Sequence, residues 1–304
     1  MRYILLFLLI FVSCSAVTDN DPDQIKAELG EPTSYDEEPL DDGSIFNTAV
    51  DGRDIIIGKR AWNAIIECDG TYLAAGGDGG VAYSPDGYEW TAINAGGDNW
   101  YNAAYGGDKY IVVGNRGQMM VSSDLESWQP ITCGPYWSGV AYHNGQFISA
   151  GIFSNVAYSS DTEAWTTLTV GGSWYDIVSG DGRLVLVGND GRIAYSDNVA
   201  DWTTETVGTG KWIGVAYGDG TYVTVNYETG EIAHSSDGAE WDIVSAEPDA
   251  RVEWRDVAYG DGLFVAVGIA GKMASSVDGR DWEIHDVGTT DDLYSVCIRN
   301  GLTE

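Results

Sequence analysis

The chain has 304 residues, with 47 acidic against 15 basic side chains and a formal charge of −32. That balance excludes nucleic acid as a partner, because such binding depends on Lys and Arg neutralising phosphates. With 40 Gly, 7 Pro and 12% aromatic residues, the chain is neither collagen-like nor a Pro-rich disordered sequence, and it has the material for a large core.

In chain order, Met1-Arg2 is a short positive start, and Tyr3 to Val12 is an apolar run too short to span a bilayer. Residues 1–13 therefore read as a signal peptide. Phe11-Val12-Ser13-Cys14 resembles a bacterial lipobox with Phe11 where Leu is usual. Cys14 is the expected lipidation site, and a plain signal peptide cut nearby is the alternative. The protein is accordingly expected outside the cytoplasm, at a bacterial cell envelope or secreted, touching a membrane only through its lipid. Residues 14–43 hold ten acids against Lys26 alone. Such a stretch cannot bury enough apolar surface to offset the entropy of ordering, and it reads as a flexible tether.

From residue 44 to 304 the sequence is repetitive. Trp62, Trp100, Trp137, Trp174, Trp212 and Trp254 recur every 37 to 42 residues, and Trp90, Trp128, Trp165, Trp202, Trp241 and Trp282 form a second series. These are all 12 Trp of the chain, so tryptophan is first of all architectural. Each unit predicts four short strands. The first is W-x-x-V-A-Y, as in Trp254-Arg-Asp-Val-Ala-Tyr259, followed by a Gly/Asp hairpin turn. The second is a β-branched run ending in Gly, as in Leu184-Val-Leu-Val-Gly188. A third strand, a tight turn and a fourth strand opened by the second Trp complete the unit. Four strands per ~40 residues is a propeller blade, so the fold class is all-β, a β-propeller. Leu293 to Ile298 begins a seventh unit, and strands within 44–58 lack a repeat of their own. Ring closure between the two predicts seven blades, with six as the alternative.

The turn before the second Trp is itself a motif, Ser-x-Asp-Gly-x-x-Trp, carried by Asp86, Asp124, Asp161, Asn198, Asp237 and Asp278. A short Asp side chain accepts backbone N–H groups of the turn, while Gly tolerates a left-handed residue. The motif resembles the Asp-box of the BNR-like, sialidase-superfamily propellers, one residue shorter, with Gly lost in three copies and Asp replaced in Asn198. The resemblance covers residues 62–286 and implies architecture, with the six turns structural and away from the ligand face. It also implies carbohydrate-active hydrolases of the sialidase and xyloglucanase type as the alternative to a binding role. A sialidase would need an arginine triad, for which Arg60, Arg116, Arg192 and Arg255 are the candidates. A glycosidase would need two opposed carboxylates, for which Asp98, Asp190, Glu228 and Glu253 are the candidates. The photosystem II assembly factors are a similar architecture used as a scaffold.

No catalytic residue, metal site or cofactor is expected. His143, His234 and His285 lack ligand spacing, and Cys68, Cys133 and Cys297 read as buried thiols. The expected role is a monomeric, non-enzymatic module binding a protein or glycan partner. Its ligand is expected on the face that carries the loops between strands 4 and 1 and between strands 2 and 3. The candidates there are Trp100, Arg116, Tyr136, Asp190, Arg192, Lys211, Tyr227, Glu228, Arg251, Glu253 and Arg255. The strand-opening Trp are expected mainly to wedge between blades, with an aromatic ring for stacking on sugars as the alternative. Alternation would put the first, third and fifth residues of W-x-x-V-A-Y on one side of the strand.

Overall fold

The computed structural model describes residues 45–59, 62–246 and 252–299. The signal peptide, Cys14, the acidic tether, Arg60 and Arg251 lie outside them.

Six antiparallel four-stranded sheets and one three-stranded sheet make seven blades. The innermost strands are β3 (Trp62–Cys68), β7 (Trp100–Gly106), β11 (Gly139–His143), β15 (Trp174–Gly180), β19 (Trp212–Gly218), β23 (Trp254–Gly260) and β27 (Leu293–Ile298). Each touches the next, and β27 returns to β3, so the ring is closed. The seventh blade joins the two ends of the repeat region. Its β27 pairs with β2 (Arg53–Lys59), and β2 pairs with β1 (Ile45–Val50). Seven blades, not six, is the architecture.

The blades adhere because their faces are apolar and their inner strands are stapled by polar groups. All six strand-opening Trp are at most 1% exposed. Trp100, for example, packs with Leu73 and Ala75 of the preceding blade. The stacking alternative for these indoles is therefore corrected: they belong to the core, and Trp100 presents no surface to a ligand. Between neighbouring inner strands, Asn63 Nδ2 donates to the Trp100 carbonyl (2.7 Å), Ser138 Oγ to that of Trp174 (2.6 Å) and Ser295 Oγ to that of Trp62 (3.1 Å). The last of these closes the ring. At the far end of the inner strands, a glycine lies flat under the next blade's tyrosine. A Cβ on Gly180 would sit 2.1 Å from Tyr217 Cγ, and one on Gly218 2.0 Å from Tyr259 Cγ.

The Ser-x-Asp turns are built alike. Asp86 Oδ1 accepts the N–H groups of Tyr88 (2.8 Å) and Glu89 (3.0 Å) and the Ser84 hydroxyl (3.0 Å), while Trp90 Nε1 donates to the Gly87 carbonyl (3.2 Å). Asn198 keeps the two backbone contacts through Oδ1 (3.1 and 2.9 Å). The Gly copies carry φ of +72 to +76°, and where Gly is absent Leu125, Thr162 and Val199 adopt φ of +65 to +68°. The turn geometry thus outlasts the loss of its glycine, because the buried Leu125 and Val199 gain apolar contacts. Cys68, Cys133 and Cys297 are buried thiols outside any disulfide, as expected.

Candidate functional site

Inner strands all run from the loop-bearing face towards the hairpin face, so their first residues surround one mouth of the channel. Simple alternation fails there. In β3, β7, β15, β19 and β23 the ladder slips by one residue between the Trp and the residue two further on. The seventh blade slips likewise, pairing Ser295 with Gly58 and Leu293 with Lys59. The residue left out of the ladder is a β-bulge, which re-aims its side chain. The β3 bulge holds Asn63, which donates to the Trp100 carbonyl of the next blade; the other five hold Tyr101, Tyr175, Ile213, Arg255 and Tyr294. With Ser138 in the same place in the third blade, these five line a cavity of about 130 Å³ at the channel mouth. Lys211 and Tyr227 complete its wall. The expectation that the first, third and fifth residues share a side is corrected for this reason: the bulge interrupts the alternation.

The cup is aromatic and basic. Tyr101 stacks on buried Tyr136 at 5.2 Å between centroids. Arg255 lies against the rings of Tyr227 (4.5 Å) and Tyr294 (5.1 Å), and its Nε is buried without a hydrogen-bond partner. Lys211 pairs with Glu228 at 3.4 Å. Burial raises the Tyr227 hydroxyl above its ordinary range. Arg255 opposes that rise, whereas the Glu253 carboxylate, which accepts the hydroxyl's hydrogen bond, adds to it.

Immediately after two bulge residues come Asp176 and Asp256. Asp176 Oδ1 accepts from Asn102 Nδ2 and from its neighbour Ile177 N–H (both 2.8 Å), and Oδ2 accepts from Val215 N–H of the next blade (2.9 Å). Asp256 does the same with Val257 (2.8 Å) and, in the seventh blade, Val296 (2.9 Å). Both keep some surface on the narrow channel but are ringed by protein. Desolvation therefore outweighs the donors and pushes Asp176 up to about 7, and desolvation with repulsion from Asp176 pushes Asp256 up to about 8.

Of the residues expected from sequence, Lys211, Tyr227 and Arg255 line the cup. Glu228 and Glu253 partner them, and Tyr136 backs it. The others lie elsewhere. Arg116 pairs with Asp98 at 3.4 Å, Arg192 Nη1 donates to the Gly171 carbonyl (3.3 Å), and Asp190 is exposed on a 2–3 loop. The candidate arginine triad is accordingly not assembled at the cup among the described residues, since of its members only Arg255 reaches it. Tyr101, Ser138, Tyr175, Ile213 and Tyr294 were missed by sequence reasoning. The available signal was the position after each strand-opening residue, where Tyr recurs in three of the seven blades.

No known family profile and no curated sequence matches the chain. Among solved structures, YCF48 bound to D1 peptide is similar at TM-score 0.63 and 16% identity, covering 84% of this chain and 99% of that one. A streptogramin B lyase is similar at TM-score 0.70 and 9% identity, over 81% and 87% of the two chains. A catalytically inactive His-to-Ala variant of virginiamycin B lyase from Staphylococcus aureus with quinupristin is similar at TM-score 0.68 and 12% identity, over 80% and 88%. At these identities the likeness is one of fold, the seven-bladed β-propeller.

Proposed function

We propose that the protein is an extracytoplasmic, non-enzymatic binding module of the Asp-box type of propeller, taking a segment of a partner protein at the channel-mouth cup. The observation that carries this is the cup itself, five of whose lining residues are bulge residues lifted out of the ladder of their blades. Rigid tyrosines supply large contact area at low entropic cost. A similar propeller, YCF48, is described with a bound peptide, which supports a protein partner over a glycan. The alternative, a hydrolase, has one observation on its side: two channel carboxylates with raised pKa. Their oxygens are occupied by N–H donors of the inner strands and neither lines the cavity, which supports a stapling role. None of the three histidines lines it either.

The test is selection of peptides from a random displayed library on the whole chain, followed by affinity measurement on Tyr101→Ala and Tyr175→Ala. The proposal expects selected peptides to lose at least about tenfold, the scale of one buried anchor, on both variants. Unchanged affinity on both would refute the cup as the site. For the membrane tether, Cys14→Ser is expected to shift the protein from the membrane to the soluble fraction. Unaltered membrane association would refute lipidation.

A further inference from the structure

Among the described residues, the cup's lining holds Lys211 and Arg255 and no carboxylate, in a chain of net charge −32. Bringing two cations to one small cavity costs repulsion, and no described residue of the lining carries the opposite charge. Lys211 is paired with Glu228, which stands outside the lining, at 3.4 Å. Glu253 is engaged by the Tyr227 hydroxyl. The charge left to be met is that of Arg255. Its guanidinium is positioned by two tyrosine rings, not by acceptors, and its Nε donor is buried and unsatisfied. A buried donor with no acceptor is a cost that a ligand can remove. The planar fork of Arg matches the two oxygens of a carboxylate, and one unmet charge suits a monoanion.

We infer that the cup takes a carboxylate carried on a small apolar or aromatic skeleton, with its oxygens on Arg255 and Lys211 and its skeleton among Tyr101, Tyr175 and Ile213. This rests on the proposal that the cup is the binding site. In a peptide the carboxylate has two sources, a free C-terminus or an acidic side chain, and both present the same chemistry to Arg255. The skeleton requirement follows from the lining, where tyrosine faces and Ile213 surround the cations and leave the apolar part of a ligand sheltered.

The experiment is an NMR titration of the full chain with three probes. These are N-acetylphenylalanine (a terminal carboxylate), N-acetylphenylalaninamide (the same skeleton uncharged) and N-acetylglutamic acid amide (a side-chain carboxylate with a blocked end). Shifts are read at the amides of residues 101, 175, 213 and 255. At least one carboxylate probe is expected to bind tenfold or more tighter than the uncharged amide, and the tighter of the two identifies the source. Arg255→Gln and Lys211→Gln should each bring it to the level of the amide while leaving the melting temperature nearly unchanged. Should one variant fail to fold, the other decides. Equal binding of charged and uncharged probes at the cup would overturn the carboxylate inference and leave the cup standing as the site. No shift at the cup with any probe would overturn both.

Discussion

Asp176 and Asp256 are each held by two opposed influences. Donated N–H groups favour the charged form, and the narrow channel disfavours it more strongly. In the unfolded chain both would titrate near ~4. With pKa raised in the folded state, the native protein holds more protons than the unfolded chain. Their stabilising contribution is therefore full below about pH 4 and is lost as pH rises through about 7 and 8. The turn carboxylates have the opposite sign. The N–H groups of residues 88 and 89 hold Asp86 below the ordinary range, and Asp124, Asp161, Asp237 and Asp278 are lowered by equivalent donors. Their contribution is present above about pH 4 and lost as pH falls further. Denaturant unfolding should accordingly show greatest stability near pH 4–5 and a loss of about 1–3 kcal/mol towards pH 8, discounted for water in the channel. Asp176→Asn should reduce that slope whatever it does to absolute stability. A flat profile between pH 5 and 8 would show that these carboxylates are ordinary.

The blade is the next scale, and here the sequence was legible in one direction and opaque in another. Two Trp series, Gly-terminated second strands and Ser-x-Asp turns gave the strands and their order, because those residues meet fixed local demands: a wedge, a close approach, a positive φ. The bulge was opaque. W-x-x-V-A-Y reads as plain alternation, and a one-residue slip after the Trp leaves no trace in hydrophobic pattern when the extra residue is Tyr101, Ile213 or Arg255 by turns. Trp100 carries the larger ring, yet it is buried, and the ring that faces the cup is that of Tyr101, one residue on. Blade-to-blade contact is testable at the glycines under tyrosine. Gly180→Ala places a methyl group inside the van der Waals radius of Tyr217 and should cost about 1–3 kcal/mol by overpacking. Because the two side chains share one space, Tyr217→Ala should recover part of that loss in the double variant, as a cycle of unfolding free energies would show. Strict additivity would mean that the two do not meet.

For the whole molecule, closure depends on a strand taken from the far end of the chain. β27 pairs with β2, packs between β23 and β3, and donates the Ser295 hydroxyl to Trp62. Two further bonds pin the same blade at its edge: Arg299 pairs with Asp54 (2.6 Å), and Lys59 with Asp291 (2.8 Å). Removing residues 293–304 should therefore abolish cooperative unfolding or cost most of a domain's usual ~5–15 kcal/mol. The loss would be read by near-ultraviolet circular dichroism of the buried indoles. A truncated chain with an unchanged transition would contradict ring closure.

Closure also holds the bulge residues of separate blades around one mouth, and the functional account rests on that arrangement. Its most direct test is site-specific photocrosslinking of a library-selected peptide. The crosslinker is placed at Ile213 in the cup or at Val277, which is 65% exposed on a Ser-x-Asp turn at the opposite face. The account predicts capture at 213, competed by excess free peptide and weakened by Arg255→Gln, with none at 277. Capture at 277 and none at 213 would contradict it.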